Sequence, residues 1–356
     1  MRLLRAEVVG VGPFDSLAFP FVDEEDKPRL MTVVHGGGGV GKTSLLNALS
    51  STRPGHCVVQ QRQRDGRLEE EPAEPAPPRT VCHWWLGQDD STRPHPLVLS
   101  SPNARVFADE QEETLRRREQ VIFDRAAGEG GFAFLAIAST RWFSRQPISL
   151  SAPARSVARY DVKAGSGLDD ASRSDLSRET KQALAYAAIV RALAGPGDKR
   201  RKSFERLGDA MRDVVGMLTA LTGFEYLGLD TFSFEPTFRD AGGRTLSFDA
   251  LPTRARHLAA FGALSVRTLW AAYPERDPRA AEGVVSIDEV DLHQDTGVQA
   301  ELCGVLREAL PEVQWILTTT SPLVAAACDP SEVLALRRLP EQRDVVLYAG
   351  DQALTH

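Results

Sequence analysis

The 356-residue chain has only four cysteines, Cys57, Cys82, Cys303 and Cys328, and no two of them stand in C-x-x-C spacing. This leaves no disulfide framework or thiolate metal site to read, and fits reduced thiols in a cytosolic chain. No apolar run reaches the roughly 18 residues of a membrane span. The start, Met1-Arg-Leu-Leu-Arg-Ala-Glu-Val-Val9, carries an acid and no cleavage-type region. It reads as a strand, not a signal peptide, and a cytoplasmic location is expected. No heptad pattern persists for the tens of residues that a long coiled coil needs. Neither an H-E-x-x-H zinc helix nor a nucleophile elbow is present. Charge of one sign is also scarce. With 42 Lys+Arg against 49 Asp+Glu, the net charge of -7 argues against coating nucleic acid by bulk charge. A local basic patch remains compatible with it.

What is present points to phosphate chemistry. Gly36, Gly37, Gly38, Gly39, Val40, Gly41, Lys42 and Thr43 form a G-x-x-x-x-G-K-[ST] loop. An apolar run, Leu30-Met-Thr-Val-Val34, precedes it and a helical pattern from Ser44 to Leu49 follows. Glycines let consecutive backbone N–H groups curl toward phosphate oxygens, and the helix N-terminus, including Ser44, adds its positive dipole end. Lys42 is placed to reach the β- and γ-phosphates, and the Thr43 hydroxyl to ligate Mg²⁺. A chance glycine-rich turn would not bring strand, glycines, Lys-Thr and helix into agreement.

Apolar residues make up 42% and charged residues 26%, ordinary for a globular chain that holds two or three domains or one large α/β domain with an insertion. We expect an N-terminal lobe over 1–103, a mainly helical insertion over 104–223 and a C-terminal lobe over 224–356. Strands are expected at Arg5–Val11 and Leu17–Val22 around the Gly12-Pro13 turn, and at Val81–Gly87 and Pro96–Ser100. The Pro/Glu-rich stretch 62–79 reads as a surface loop. Helices are expected over Glu110–Ala127, Asp175–Ala194 and Ser203–Thr222, the last closed by Gly223. Strand-like runs follow at Phe224–Leu229, Phe232–Phe238 and Arg244–Phe248. Trp84-Trp85 and Trp142-Phe143 read as strand core rather than base-stacking platforms, and His35 as strand packing.

Val284-Val-Ser-Ile-Asp288-Glu289 is an apolar strand ending in two acids. Beside a phosphate loop, the first carboxylate suits the Mg²⁺ shell and the second the attacking water, because successive side chains leave a strand end in different directions. Asp288 with Thr43 is therefore the candidate metal pair. Glu289 and Lys42 are the candidate catalytic residues.

Ile287-Asp-Glu-Val-Asp-Leu-His293 resembles the I-D-E-x-[DE]-x-H-x-H-P stretch of ABC-type ATPase heads related to RecF, the SMC proteins and the OLD-like nucleases. Pro311-Glu-Val-Gln-Trp-Ile-Leu-Thr-Thr-Thr-Ser-Pro-Leu-Val324 resembles their P-x-x-Q-[FW]-I-x-T-T-H-S-P-L-V strand and switch, and Gly12-Pro-Phe their G-P-F turn. The resemblance covers about 1–50 and 245–349. It implies an α/β P-loop NTPase fold, an ABC-type ATPase head with N-terminal antiparallel strands and a helical insertion. It also implies ATP and Mg²⁺ as ligands, closure as a homodimer, and a separately encoded effector in DNA repair or phage defence. A transporter ATPase fits less well.

The chain departs from that pattern in places. Thr320 stands where the family has a γ-phosphate-contacting His; Thr offers one hydroxyl and no charge. Leu251-Pro-Thr-Arg-Ala-Arg-His257 is the nearest match to the L-S-x-G-E-x-[QR] dimer signature. Pro252, with neither hydroxyl nor N–H, replaces the Ser, and Arg254 replaces the Gly. Thr253, Arg254 and Arg256 are the signature-like candidates, Arg254 in the manner of an arginine finger, against a plain helix entry with exposed arginines. Gln60, Gln61 and Gln88 are alternatives for the metal-sensing glutamine. His293 reads equally as a loop residue. Arg116-Arg-Arg118 and Lys199-Arg-Arg-Lys202 read as solvated faces or as contacts for DNA or RNA phosphates. A slow-turnover, nucleotide-gated scaffold that licenses a nuclease or protease is the second reading. A small GTPase is disfavoured by the lack of N-K-x-D and D-x-x-G elements.

Overall fold

The computed structural model describes residues 1–60, 77–86, 95–102, 104–148, 175–339 and 345–355. Its first sheet grows from a hairpin. Strand β1 (Arg2–Val11) turns at Gly12-Pro13 into β2 (Phe14–Pro20), with Val11 opposite Phe14. Gly12 takes φ 58, a left-handed value suited to so short a loop. After β3 (Met31–Gly36), helix α1 (Lys42–Ser51) and the short strands β4 (Thr52–Arg53) and β5 (His56–Cys57), the chain returns as β6 (Arg79–Trp85) and β7 (Leu97–Ser100). These complete an antiparallel sheet in the order β2-β1-β6-β7. Trp84 is fully buried there, edge-on to Phe132 with ring centroids 5.7 Å apart.

The second sheet has the order β15-β14-β3-β13-β12-β8. It comprises β8 (Phe134–Ile137), β12 (Gly283–Ile287), β13 (Val313–Thr319), β14 (Val333–Arg338) and β15 (Val345–Ala349) beside β3. All neighbours pair in parallel except β14 with β15. Every residue of β12 and of β13 is buried, as expected for parallel strands covered on both faces. Gln314 pins the two sheets together from inside. Its Oε1 accepts from Leu3 N at 2.7 Å, and its Nε2 donates to Leu3 O at 2.8 Å and Arg29 O at 3.0 Å. The glutamine of the P-x-x-Q motif thus satisfies backbone groups of β1 that would otherwise lie buried without partners.

Helices α2 (Glu110–Glu129), α3 (Ser177–Leu193) and α4 (Arg201–Ala220) follow the expected spans to within two residues. Helix α4 buries Leu207, Met211, Val214, Val215 and Leu218 on one face. Each such side chain contributes about 1.5–3 kcal/mol by leaving water. Its partner is α5 (Thr253–Ala272), buried at every position from His257 to Ala272. The two approach closely at Gly262, where an added Cβ would meet Leu218 Cδ1 at 3.1 Å and Val214 Cγ1 at 3.3 Å. Helices α6 (Thr296–Ala309), α7 (Pro322–Ala326) and α8 (Asp351–Thr355) complete the chain. No described helix is long and apolar enough to cross a membrane.

Two expectations are corrected. The strand over Phe232–Phe238 starts only at Pro236. A small sheet, β11-β10-β9, is formed by β9 (Glu225–Leu229), β10 (Pro236–Arg239) and β11 (Thr245–Ser247). Between β9 and β10 the Asp230 carboxylate accepts from the N–H groups of Phe232 (3.0 Å) and Ser233 (2.8 Å). That closes an Asx-type turn and leaves Phe232 95% exposed. Trp142 is 49% exposed and so is not core, whereas Phe143 packs on His257 and Phe248. Most of the 62–79 loop lies outside the described residues.

Candidate phosphate-binding site

Strand β3 ends at Gly36, and its neighbour explains the glycine. A Cβ there would lie 2.6 Å from Leu336 O on β14 and 2.9 Å from Val40 Cγ2. Gly41 precedes α1 in a left-handed conformation (φ 97), and its Cβ would meet Phe14 Cζ at 2.5 Å and Pro13 Cγ at 2.6 Å. The Gly12-Pro-Phe turn thus rests on the loop, which gives that motif a spatial reason. No side chain caps the first amides of α1. They remain available, with the helix dipole behind them, to an anion. Lys42 is 6% exposed and its Nζ donates to Gly36 O and Gly37 O, both at 2.7 Å. Burial lowers its pKa, opposed by the carboxylates of Glu289, Asp288 and Asp291.

The two acids stand where β12 ends. Asp288 is fully buried; its Oδ2 accepts from Thr43 Oγ1 at 2.7 Å and its Oδ1 from Thr318 Oγ1 at 2.5 Å. The same Thr318 oxygen accepts from Glu289 N at 2.8 Å. Glu289 adopts φ 46, unusual for a residue with a side chain. It lines a cavity of about 270 Å³ together with Lys42, Thr43, Gly39, Pro13 and Arg338. Ser44 and Gly38 line it as well. A buried carboxylate beside a threonine hydroxyl at a glycine-lined anion cradle is the donor set that Mg²⁺ with a polyphosphate takes: hard oxygens, few of them from protein. Next to it, Thr319 Oγ1 donates to Asp291, and Ser321 Oγ donates to Gln299 Oε1 at 2.7 Å.

The remaining candidates lie elsewhere. Thr320 is exposed at the end of β13 and is not among the residues lining the cavity. Thr253, Arg254 and Arg256 open α5, where Pro252 is the N-cap without a side-chain cap. Arg254 pairs with Asp295 at 2.8 Å, and Arg256 lies over the Phe143 ring at 5.2 Å and donates to Thr253 Oγ1 at 3.2 Å. None of the three lines the cavity of its own chain. Gln60 is buried and donates to Val58 O at 3.2 Å; Gln61 and Gln88 lie outside the described residues. His293 is an exposed turn residue (φ 66) whose ring stacks at 5.2 Å on buried His257. Arg337 reaches His35 Nδ1 at 3.3 Å. Of the basic runs, Arg116 is buried against Glu113, Ser100 and Gln120, whereas Lys199–Lys202 is exposed throughout.

Three residues were not singled out from sequence. Thr318 sat inside the quoted threonine run, but only the geometry separates its role from that of Thr320. Arg338 closes β14, donates to Gly39 O at 3.2 Å, and follows no motif. Arg141 is 4% exposed and reaches the backbone of both acids. Only its position just before Trp142-Phe143 marked it in the sequence.

A phosphate loop after β3, paired acids after β12 and an antiparallel sheet joined to the parallel one together define the fold of an ABC-type ATPase head. Solved structures with a similar arrangement include SMC head domains. The SmcHead bound to the C-winged helix domain of ScpA superposes with a TM-score of 0.56 at 14% identity, over 98% of each chain. The SMC head domain from Thermotoga maritima gives 0.50 at 14% identity over 99% of this chain and 100% of that one. The Smc head with an extended coiled coil, bound to the C-terminal domain of ScpA derived from Pyrococcus furiosus, gives 0.50 at 14% over 98% and 96%. At that identity the likeness is one of fold. No family model and no curated protein matches the chain.

Proposed function

We propose that this chain binds and hydrolyses ATP and works by ATP-dependent closure of two heads. The observation that carries the reading is the Thr43–Asp288 contact beside the Lys42 loop, with Glu289 in the same cavity. On binding, Lys42 Nζ leaves the carbonyls of Gly36 and Gly37 for β- and γ-phosphate oxygens, and the loop amides take the remaining charge. Thr43 and Asp288 would hold Mg²⁺, which would neutralise phosphate charge when bound. Glu289 orients a water and takes its proton as the water oxygen bonds to the γ-phosphorus. The bond to the bridging oxygen breaks, and ADP leaves with that electron pair. Thr253, Arg254 and Arg256 do not line the cavity of their own chain, which is compatible with a role at the site of a second copy, the complete site then being a dimer property.

Within the likeness to RecF-, SMC- and OLD-like heads, the setting we favour is DNA repair or phage defence in the cytoplasm, beside a separately encoded protein effector. Lys199–Lys202, exposed at all four positions, is the surface we favour for DNA or RNA phosphates over Arg116–Arg118, where Arg116 is buried and only Arg117 and Arg118 are exposed. Residues 1–103, 104–223 and 224–356 act as N-terminal lobe, helical insertion and C-terminal lobe. Mg²⁺-dependent phosphate release by the wild type, Lys42→Ala and Glu289→Gln tests the reading, and equal release by all three sinks it. The second reading, a slow-turnover scaffold, is favoured by one observation: Pro252 offers no hydroxyl or N–H at the head of α5. Tight ATP binding without phosphate release, with co-purification of a neighbouring gene product, selects it.

A further inference from the structure

Glu289 owes its direction to an unusual backbone. A non-glycine residue at φ 46 needs surroundings that over-determine it. Its peptide is held on both sides. Thr318 Oγ1 accepts from its N–H at 2.8 Å, and Arg141 Nη2 donates to its carbonyl at 2.6 Å. Arg141 Nη1 donates to the carbonyl of Asp288 and, at 2.9 Å, to Ala138 O. One guanidinium therefore spans the carbonyls of both acids.

On the hydrolysis reading given above, we propose that Arg141 is a positioning residue: it fixes the Asp288–Glu289 turn and thereby the aim of the Glu289 carboxylate into the phosphate cavity.

The side chain is suited to little else. It is 4% exposed and does not line the cavity, so it stands outside the space that a phosphate would fill. A buried cation needs compensation, and here it comes from carbonyl dipoles and from the facing carboxylates of Asp288, Glu289 and Asp291. Burial lowers its pKa to about 10, so it stays charged at neutral pH. A planar fork matches two successive carbonyls as a single ammonium cannot. The face of the Phe261 ring on α5, 5.2 Å away, limits its travel.

Two measurements on the full chain test this. In hydrogen exchange without nucleotide, Arg141→Ala is expected to speed exchange of the Glu289, Val290 and Leu292 amides by about tenfold or more, with β13 unchanged. In turnover, Arg141→Ala is expected to lower kcat by about 100-fold, the scale of a misplaced catalytic group, with ATP affinity nearly unchanged. Arg141→Lys recovers part of the loss, and also carries both measurements if the alanine variant does not fold. In a Glu289→Gln background, Arg141→Ala should add no further loss, because both act through one carboxylate. Unchanged exchange, an additive loss in that background, or a loss confined to ATP affinity overturns the inference. An inactive wild type with faster exchange in the variant instead overturns the hydrolysis reading and leaves the clamp standing.

Discussion

Thr43 and Asp288 are 245 residues apart in sequence and 2.7 Å apart in space, hydroxyl to carboxylate. The contact closes the parallel sheet across β3, β13 and β12, and it sets the loop and the acids at a fixed separation. Thr43→Ala should therefore weaken Mg²⁺-dependent nucleotide binding more than metal-free binding. Titrations with and without EDTA check this, and an equal effect in both would place Thr43 outside the metal shell.

Lys42→Ala removes a buried cation aimed at the cavity. Charge-assisted bonds of about 1.5–3 kcal/mol each lead us to expect a loss of ATP affinity of at least about tenfold. Isothermal titration reads it. Glu289→Gln keeps size and hydrogen bonding but cannot take a proton. Binding should persist while turnover falls by about 10²–10⁴. Sedimentation with ATP should then show the dimer accumulating in that variant, since hydrolysis no longer releases it.

Thr318→Val keeps the side-chain shape and deletes one oxygen. That oxygen donates to Asp288 Oδ1 and accepts from Glu289 N. Leaving both without a partner should cost about 2–4 kcal/mol, read as a lower urea midpoint at constant m.

His257 predicts a pH dependence. It is fully buried, neither ring nitrogen has a hydrogen-bond partner among the described residues, and burial first, then neighbouring Arg141, His293 and Arg256, lowers its pKa from 6.5 to about 2. The unfolded chain binds the proton below 6.5 and the folded one does not. The contribution to stability is therefore fully present above pH 6.5 and is lost as pH falls toward 2, at up to about 1.4 kcal/mol per unit. His35 and His83 shift in the same direction, so the comparison is with His257→Phe. The variant should match wild type near pH 8 and show a shallower loss between pH 6.5 and 4.5. Below that, Glu113 adds its own slope: its carboxyl is held at about 2 by Arg116 and backbone N–H groups despite burial.

The loop, the acids and most helices were legible because each repeats a local rule: glycines before Lys-Thr, an apolar run ending in acids, an apolar face every three or four residues. Gly41 was legible as a motif position, but its reason, the Pro13 and Phe14 rings 27 to 28 residues upstream, was not. Phe232 misled because an aromatic in an apolar run reads as strand, while the Asp230 side chain had already taken the backbone into a turn. Arg141 and Thr318 were illegible for a different reason. Their partners are main-chain atoms or a carboxylate brought near by sheet order, and single-chain spacing carries no trace of that order.

The buried amide of Gln314 bears on how the molecule comes apart. It projects from β13 into the seam between two sheets and bonds the main chain of Leu3 on β1 and of Arg29 just before β3. Peeling the N-terminal sheet away would strand three polar groups in an apolar interior. Local opening there should therefore require nearly the free energy of global unfolding, so both sheets melt in one calorimetric transition.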